Sequence, residues 1–154
     1  MPGLPRSDAD ALMPATPFTT EADFLAAYNR RDYDSPLSPV DVAIFTLREH
    51  RLRVLLVKRN DFPHKDRWAM PGGFIDLARD DSLEAAALRK LTEKTGVATP
   101  YLEQWGAVGN AHRDPRGWSV TVVYFALIPF VEPPAGSDAR WFDLDETAAL
   151  PLAF

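Results

Sequence analysis

The 154-residue sequence predicts an α+β fold, or a three-layer αβα sandwich, and two observations support this class. The sequence predicts one central helix between two groups of three β-rich segments. The strands therefore do not alternate with helices, as they would in a doubly wound parallel sheet. The length fits a single domain with a full hydrophobic core, and the sequence contains no internal repeat.

Three strands are predicted before the helix. The segments Val40–Leu47 and Leu52–Lys58 are rich in β-forming residues and flank a polar turn at residues 48–51, which predicts a hairpin. A third strand is expected over Trp68–Ile75, interrupted by the sequence Pro-Gly-Gly at residues 71–73.

The central helix is expected over Leu83–Thr95. Ser82 is placed to cap its N-terminus, and Gly96 occupies the position after its C-terminus where glycine is favoured. An apolar stripe along the helix predicts the face that packs on the sheet. This stripe consists of Leu83, Ala87, Leu88 and Leu91.

Three further strands are predicted after the helix, over Tyr101–Gly109, Ser119–Pro129 and Arg140–Asp143. Residues 110–118 form the loop between the first two of them. The segment Asp145–Ala149 is expected to be a turn or a short helix.

The N-terminal region differs in composition from the rest. Residues 1–20 are rich in Pro, Thr, Ala and Asp and lack periodicity, which predicts a mobile tail. A short helix is expected over Glu21–Asn29, capped by Thr20, with a linker over residues 30–38.

Composition excludes several classes of function. The chain has no cysteine, which excludes disulfides, thiolate metal sites and a cysteine nucleophile. The net charge of −5 argues against DNA or RNA binding by this chain alone. No segment reads as a signal peptide or a membrane helix, so we expect a cytoplasmic protein with no membrane partner.

The segment from Gly73 to Val97 resembles the Nudix box, a loop–helix–loop motif. The resemblance implies a Nudix αβα sandwich with a mixed sheet and the box helix at its centre. The positions that match the family pattern are Gly73, Arg89, Leu91, Glu93, Gly96 and Val97. In the family, the arginine at the position of Arg89 braces the loop.

The same segment departs from the pattern of active Nudix enzymes. The spacing between Gly73 and Arg89 is two residues longer, and the first glutamate of the pattern falls near Asp80 or Asp81. Two further glutamates of the pattern are replaced by lysines, at Lys90 and Lys94.

Helix geometry shows why these replacements matter. Positions 90, 93 and 94 share one face of a helix, where three carboxylates would hold Mg²⁺ for hydrolysis of a pyrophosphate. Here Glu93 lies between Lys90 and Lys94. That composition should repel Mg²⁺, and the two ammonium groups are placed to pair with a pyrophosphate directly. The alternative is that all three are solvated surface charges.

A closer similarity covers residues 22–154. The segments VDVAIFTL, LLVKR, WAMPGGFID, LRKLTEKTG, GNAHRDPRGWSVTV and PLAF are similar to the Nudix-related transcriptional regulators of NAD metabolism. The resemblance implies a homodimer whose Nudix domain, at residues 21–154, senses ADP-ribose without a cofactor and with little hydrolysis. It also implies a C-terminal winged helix for DNA, absent from this chain. Residues 21–39 are candidates for the dimer contact.

Eight residues are candidates for ligand binding. Arg113 and Arg116 offer fork-like donors for phosphate or ribose, and Asp114 is placed to orient one of them or to accept from a ribose hydroxyl. The alternative is that this loop is only a tight turn. Phe74, Trp68 and Tyr124 are candidates for stacking on an adenine, although aromatic residues on strands more often belong to the core. The full set is Arg59, Gly73, Phe74, Lys90, Lys94, Arg113, Asp114 and Arg116.

Two other functions compete with ligand sensing. The first is a Mg²⁺-dependent pyrophosphatase acting on ADP-ribose or a related nucleoside diphosphate. It would use Glu93 and Glu84 in catalysis and Glu93 and Asp81 as metal ligands, with Asp80 as a further carboxylate. The second is an interaction scaffold with an empty site. No metal-ligand role is expected for His50, His64 or His112, because none has an acidic or histidine partner at metal spacing.

Overall fold

The computed structural model describes residues 18–153. The described residues divide into two compact units at Ser35 and Pro36, and the two units are described separately. The tail predicted over residues 1–20 lies, as far as residue 17, outside the described residues. None of the described helices combines the length and the apolar character needed to cross a membrane.

The first unit contains helix α1, Glu21–Ala27, and a 3₁₀ turn, Arg30–Asp32. As predicted, Thr20 caps α1, because its hydroxyl accepts a hydrogen bond of 3.1 Å from the backbone N–H of Asp23. The helix ends two residues earlier than expected, at Ala27.

The second unit is built on one seven-stranded sheet. Its strands are β1 Pro39–Arg48, β2 Arg51–Lys58, β3 Trp68–Ala69, β4 Gly72–Phe74, β5 Glu103–Asn110, β6 Ser119–Leu127 and β7 Ala139–Asp143. The order is β3-β2-β1-β6-β5, with β4 also paired to β1 and β7 to β2. Only β1 and β6 are parallel, so the sheet is mixed and the predicted α+β class is confirmed.

The strand predicted over residues 68–75 is interrupted near Pro71, as expected, but its two parts are separate strands with different partners. The segment forms two short strands, because β3 pairs with β2 and β4 pairs with β1. Pro71 lies at the change of partner and has no N–H to continue a ladder. Its carbonyl instead accepts a hydrogen bond of 2.8 Å from the backbone N–H of Val42.

Helix α2 spans Leu83–Thr95, as predicted. The hydroxyl of Ser82 accepts a hydrogen bond of 3.1 Å from the N–H of Ala85, and Gly96 ends the helix with a left-handed φ of 68°. The predicted stripe is wrong at Leu83, whose side chain is 38% exposed. The fully buried face instead contains Ala86, Ala87, Leu91 and Thr95.

The core lies between α2 and one face of the sheet. Alternate residues of β1, namely Val40, Val42 and Ile44, are fully buried in it. The intervening residues Asp41, Ala43 and Phe45 lie on the opposite face of the strand. The two faces of β1 thus serve different purposes, and the second face contributes to the cavity described below.

A 3₁₀ turn, Leu144–Ala149, follows β7.

The C-terminal end of α2 depends on a buried hydroxyl. Thr95 donates to the carbonyl of Leu91 at 2.7 Å and accepts from the N–H of Val97 at 3.0 Å. We expect Thr95→Val to lower the free energy of unfolding by about 1–3 kcal/mol, because a buried N–H loses its partner. Urea denaturation measures this change.

Thr92→Val is the matched control. Thr92 makes the same type of bond to the carbonyl of Leu88, at 3.0 Å, but it is exposed. Its replacement should change the free energy of unfolding by no more than about 0.5 kcal/mol. Equal effects of the two substitutions would contradict a special role for the buried hydroxyl.

Candidate functional site

The eight residues predicted to bind a ligand line one cavity of about 290 Å³, here called the cationic cavity. They come from the residue that follows β2, from β4 and α2, and from the loop between β5 and β6. The complete lining is Pro39, Asp41, Arg59, Ala69, Met70, Gly72, Gly73, Phe74, Lys90, Lys94, Arg113, Asp114 and Arg116. Five cationic side chains therefore face two carboxylates, an excess of three positive charges.

Helix α2 supplies two of these cations. Lys90 is largely covered, with 19% of its side chain exposed, whereas Lys94 is exposed. The side chain of Lys90 packs close to Gly73, which has no side chain of its own. Gly73 also adopts a φ of 152°, which other residues rarely adopt. A Cβ at Gly73 would lie 3.1 Å from Cε of Lys90, so a side chain there would force the lysine to shift by a few tenths of an ångström.

The loop between β5 and β6 supplies two arginines held by a carboxylate and a hydroxyl. Arg116 donates to both oxygens of Asp114, at 3.0 and 2.7 Å, and its guanidinium lies 5.0 Å from the centre of the Phe74 ring. Arg113 donates to the hydroxyl of Ser119 at 2.8 Å. Hydrogen bonding by Arg116 lowers the pKa of Asp114, which is 3% exposed. The turn chemistry considered as the alternative is also present, since the backbone N–H of Arg116 donates to Asp114 at 2.9 Å.

Arg59 lies just after the end of β2 and is only partly exposed. Its Nε donates to the carbonyl of Pro63 at 2.8 Å, which holds the side chain beside the cavity.

Asp41 is a site residue that the sequence reasoning missed. Its Oδ2 accepts a hydrogen bond of 2.7 Å from Thr121 and lies 3.7 Å from Arg113. Burial raises the pKa of Asp41, although Thr121 and Arg113 act in the opposite direction. The available signal was a carboxylate inside the otherwise apolar strand VDVAIF.

Gly72 is required beside Asp41 for reasons of space. Asp41 and Gly72 are cross-strand partners in the pairing of β1 with β4. A Cβ on Gly72 would lie 2.2 Å from Oδ1 of Asp41 and 2.4 Å from the carbonyl oxygen of Val40. Such contacts are far inside van der Waals distance, so only glycine permits this approach.

Arg89 has the bracing geometry that the resemblance implied. Its Nε and Nη2 donate to the two oxygens of Asp80 at 2.6 and 2.5 Å. The Asp80 side chain is 1% exposed, and the guanidinium lowers the pKa of Asp80 to about 2. Asp80 is therefore engaged in a structural ion pair.

Glu93 is surrounded by cations. Its carboxylate lies 3.2 Å from Arg79, 3.1 Å from Arg89 and 3.5 Å from Lys90. Burial raises its pKa, but the hydrogen bond from Arg89 and the charge of Lys90 outweigh this effect and lower it. Arg79 is a further partner that the sequence reasoning did not identify.

The carboxylates of the hydrolase hypothesis are not gathered into a metal site. Asp81 and Glu84 are both exposed. Within residues 18–153, no group of three or more His, Cys, Asp or Glu side chains is placed to hold a metal ion. The three histidines line none of the cavities described here.

The predicted aromatic residues separate into two groups. Trp68 packs edge-on against Phe142, with ring centres 4.7 Å apart, and Tyr124 is 6% exposed and belongs to the core. Neither lines the cationic cavity. Phe74 does line it and is 41% exposed.

Comparison with known families identifies one match. The family model for the NUDIX domain matches residues 37–154. In the solved structures, the chain is similar to the NUDIX domain of Shewanella oneidensis NrtR, whose structure contains ADP ribose. The TM-score is 0.84 and the identity 46%, over 88% of this chain and 90% of that one. The expected Nudix sandwich is thereby confirmed.

Two relatives extend the comparison. The chain is 50% identical to the ADPR responsive transcriptional repressor NtrR of Acinetobacter baylyi, over 89% of this chain and 56% of that protein. It is 32% identical to an ADP-ribose pyrophosphatase of Methanocaldococcus jannaschii, over 71% of this chain and 65% of that protein. The chain thus spans somewhat more than half the length of the repressor.

The Arg89–Asp80 pair predicts a pH-dependent stability. Because the folded pKa of Asp80 lies below its ordinary value of 3.8, the pair stabilises the fold above about pH 4. This contribution is lost as the pH falls through about 2. We therefore expect Asp80→Asn to be less stable than the wild type at neutral pH, with a difference that shrinks towards pH 2.

Urea denaturation at a series of pH values measures this difference. Asp81→Asn is the control, since it removes the neighbouring, exposed carboxylate and should leave the profile unchanged. A difference between Asp80→Asn and wild type that stays constant across the acidic range would refute the assignment.

Proposed function

Because this chain belongs to the Nudix family, we propose that its second unit binds ADP-ribose, or a closely related nucleoside diphosphate, without hydrolysing it. The observation that carries this proposal is the cationic cavity. It offers five cationic side chains, and two of them, Lys90 and Lys94, stand at helix positions where the pattern of active Nudix enzymes has glutamates. The Shewanella domain to which the chain is similar was solved with ADP ribose.

The charges of the cavity fit a pyrophosphate without a metal. Arginine guanidinium groups and lysine ammonium groups make charge-assisted hydrogen bonds to phosphate oxygens. The cavity lining has three more positive than negative charges, which is enough to neutralise the two negative charges of a dianionic pyrophosphate. No cofactor is therefore required for binding.

The surroundings of Glu93 argue against hydrolysis. Magnesium, the usual cofactor of Nudix hydrolysis, prefers several oxygen ligands. Glu93 is already paired with Arg79, Arg89 and Lys90, and the cationic groups on α2 would repel a divalent cation. The similarity to the Methanocaldococcus pyrophosphatase leaves the enzyme alternative to be tested, but no contact in the site favours it.

We further propose that the chain is the effector-binding part of a cytoplasmic transcriptional regulator of NAD metabolism. This rests on the Acinetobacter relative, a transcriptional repressor responsive to ADPR. The net charge of −5 disfavours binding of this chain to the negatively charged DNA backbone. Contact with DNA would therefore be made by another domain of the whole protein.

A homodimer formed through residues 21–39 is the remaining part of the proposal. Within the first unit, Leu25 is 61% exposed and Tyr28 47% exposed. Leu25 lies on α1 and Tyr28 directly follows it, and exposed apolar side chains of this kind favour burial against another surface.

Isothermal titration with ADP-ribose in the presence of a chelator tests the function. We expect binding without Mg²⁺, and a loss of about tenfold or more in affinity for both Lys90→Ala and Lys94→Ala, since each removes a charged partner of phosphate. Lys65→Ala is the control, because Lys65 is exposed and lies outside the lining of the cavity.

Two results would overturn this proposal. One is an affinity for ADP-ribose that appears only with Mg²⁺. The other is formation of AMP from ADP-ribose and Mg²⁺ or Mn²⁺ at a rate typical of enzymes, about 1 s⁻¹ or more.

The dimer is tested by sedimentation of the Leu25→Asp/Tyr28→Asp double variant. We expect the wild type to sediment as a dimer and the variant as a monomer, because two charges would be buried in the contact. Leu77→Asp, at a position 72% exposed in the second unit, is the control and should remain dimeric. A dimeric double variant would exclude this contact.

A further inference from the structure

Glu93 is the one carboxylate among positions 90, 93 and 94, which share one face of α2. Two cations of the helix itself lie near one of its oxygens, since Oε2 is 3.1 Å from Arg89 and 3.5 Å from Lys90. The other oxygen, Oε1, lies 3.2 Å from Arg79, which belongs to the loop before α2. Arg79 therefore approaches Glu93 from a different element and at a different oxygen.

The loop before α2 holds Arg79 in this place. Its backbone closes in a turn, because the N–H groups of Arg79 and Asp80 donate to the carbonyl of Asp76 at 3.0 and 2.8 Å. The carboxylate of Asp80 accepts from the N–H of Asp76 at 2.7 Å and is bound to α2 through Arg89. This loop belongs to the segment between Gly73 and Arg89, which is two residues longer than in the pattern of active Nudix enzymes.

Glu93 stands beside the cationic cavity and is not part of its lining. It borders an adjoining cavity of about 290 Å³, which shares Arg59 and Lys94 with the cationic cavity. A carboxylate without a counter-ion at this position would repel a pyrophosphate. It would also compete with the pyrophosphate for Lys90, which lines the cationic cavity.

The ion pair between Arg79 and Glu93 acts mainly through its charge. The side chain of Arg79 is 59% exposed and that of Glu93 37%. Exposed ion pairs contribute little to the stability of a fold. A cation 3.2 Å from the carboxylate nevertheless cancels much of its field at the neighbouring cavity.

We propose that Arg79 is the built-in counter-ion of Glu93 and takes the place of the metal ion that the carboxylates of an active Nudix helix would bind. It neutralises Glu93 from outside both cavities, so that Lys90 stays available to a phosphate. Its guanidinium also occupies an oxygen that a divalent cation would need. Arg79 is thus a positioning residue that acts on the ligand through Glu93. The effect on Lys90 rests on the proposed function, whereas the exclusion of metal does not.

A double-mutant cycle separates this role from a general effect of charge. ADP-ribose is titrated calorimetrically into the whole chain with a chelator and at low salt, where exposed charges act most strongly. Arg79→Ala should weaken binding about fivefold, which is the upper range for an exposed ion pair. In the Glu93→Gln background the same substitution should leave the affinity unchanged, because no carboxylate remains to be neutralised.

A general effect of charge gives a different pattern. If Arg79→Ala weakens binding equally in the wild type and in the Glu93→Gln background, Arg79 acts on the ligand directly and the proposal is overturned. The absence of any effect of Arg79→Ala on the wild type overturns it as well. Arg140→Ala is the matched control, since Arg140 is an exposed arginine that lines neither cavity. This variant should bind ADP-ribose as the wild type does.

Metal binding gives a test that does not depend on ADP-ribose. Lys90→Glu/Lys94→Glu restores two glutamates of the pattern, and electron paramagnetic resonance measures the Mn²⁺ that this variant binds with and without Arg79→Ala. Adding Arg79→Ala should tighten Mn²⁺ binding by about tenfold, because the metal no longer competes with a guanidinium for Glu93. No gain in Mn²⁺ affinity, including no binding by either variant, overturns the counter-ion role. Circular dichroism confirms that each variant is folded.

The two measurements keep this inference distinct from the proposed function. If the wild type binds no ADP-ribose, the proposed function fails, and the Mn²⁺ measurement alone decides the role of Arg79. If the wild type binds ADP-ribose but the cycle shows no coupling between Arg79 and Glu93, only the inference about Arg79 fails.

Discussion

The guanidinium of Arg89 links helix α2 to the preceding loop and to β4, and these segments position the candidate site. From the middle of α2 it donates to Asp80 in the preceding loop, to Glu93 one turn further along and, at 3.5 Å, to the carbonyl of Phe74 in β4. A planar group with several fixed donors can hold three partners in this way, and a lysine could not. The β4 wall of the cationic cavity is thereby fixed relative to the lysines of α2.

The same interaction bears on the question of a metal. Three cations within 3.5 Å of Glu93 leave a local excess of positive charge, even though 37% of its side chain is exposed. A divalent cation would have to displace these partners and approach against their charge. The lysines at positions 90 and 94 therefore change more than the number of ligands, since they reverse the sign of the field at the helix face.

A feature of this structure can be predicted from the sequence when the residues that determine it lie close together in the chain. The bounds of α2 are predicted fully because Ser82 and Gly96 act within one turn of the helix. The interruption near Pro71 is predicted, but the pairing of its two halves with different strands is not, because strand partners are set by the whole sheet. Leu83 is exposed for a related reason, because burial along α2 begins at Ala86 and does not include the first turn.

The residues of the candidate site also divide into those that local motifs predict and those that only the fold reveals. The eight candidate residues could be named because they stand in recognisable motifs, and the fold then places them around one cavity. Asp41 and Arg79 could not be named in this way, because each acts through partners distant in sequence or in another element. The alternation along β1 indicates which residues share a face, but only the folded sheet shows that its second face borders a cavity.

The carboxylates of the cationic cavity explain how five cations can share so small a space. Asp114 holds Arg116 through two side-chain hydrogen bonds, and Asp41 lies 3.7 Å from Arg113. Each carboxylate reduces the repulsion among the cations and fixes an arginine before any ligand arrives. A ligand then orders fewer side chains on binding, which lowers the entropic cost of association. Under the proposed function, preorganised arginines and a residual positive charge would together hold a pyrophosphate without a metal.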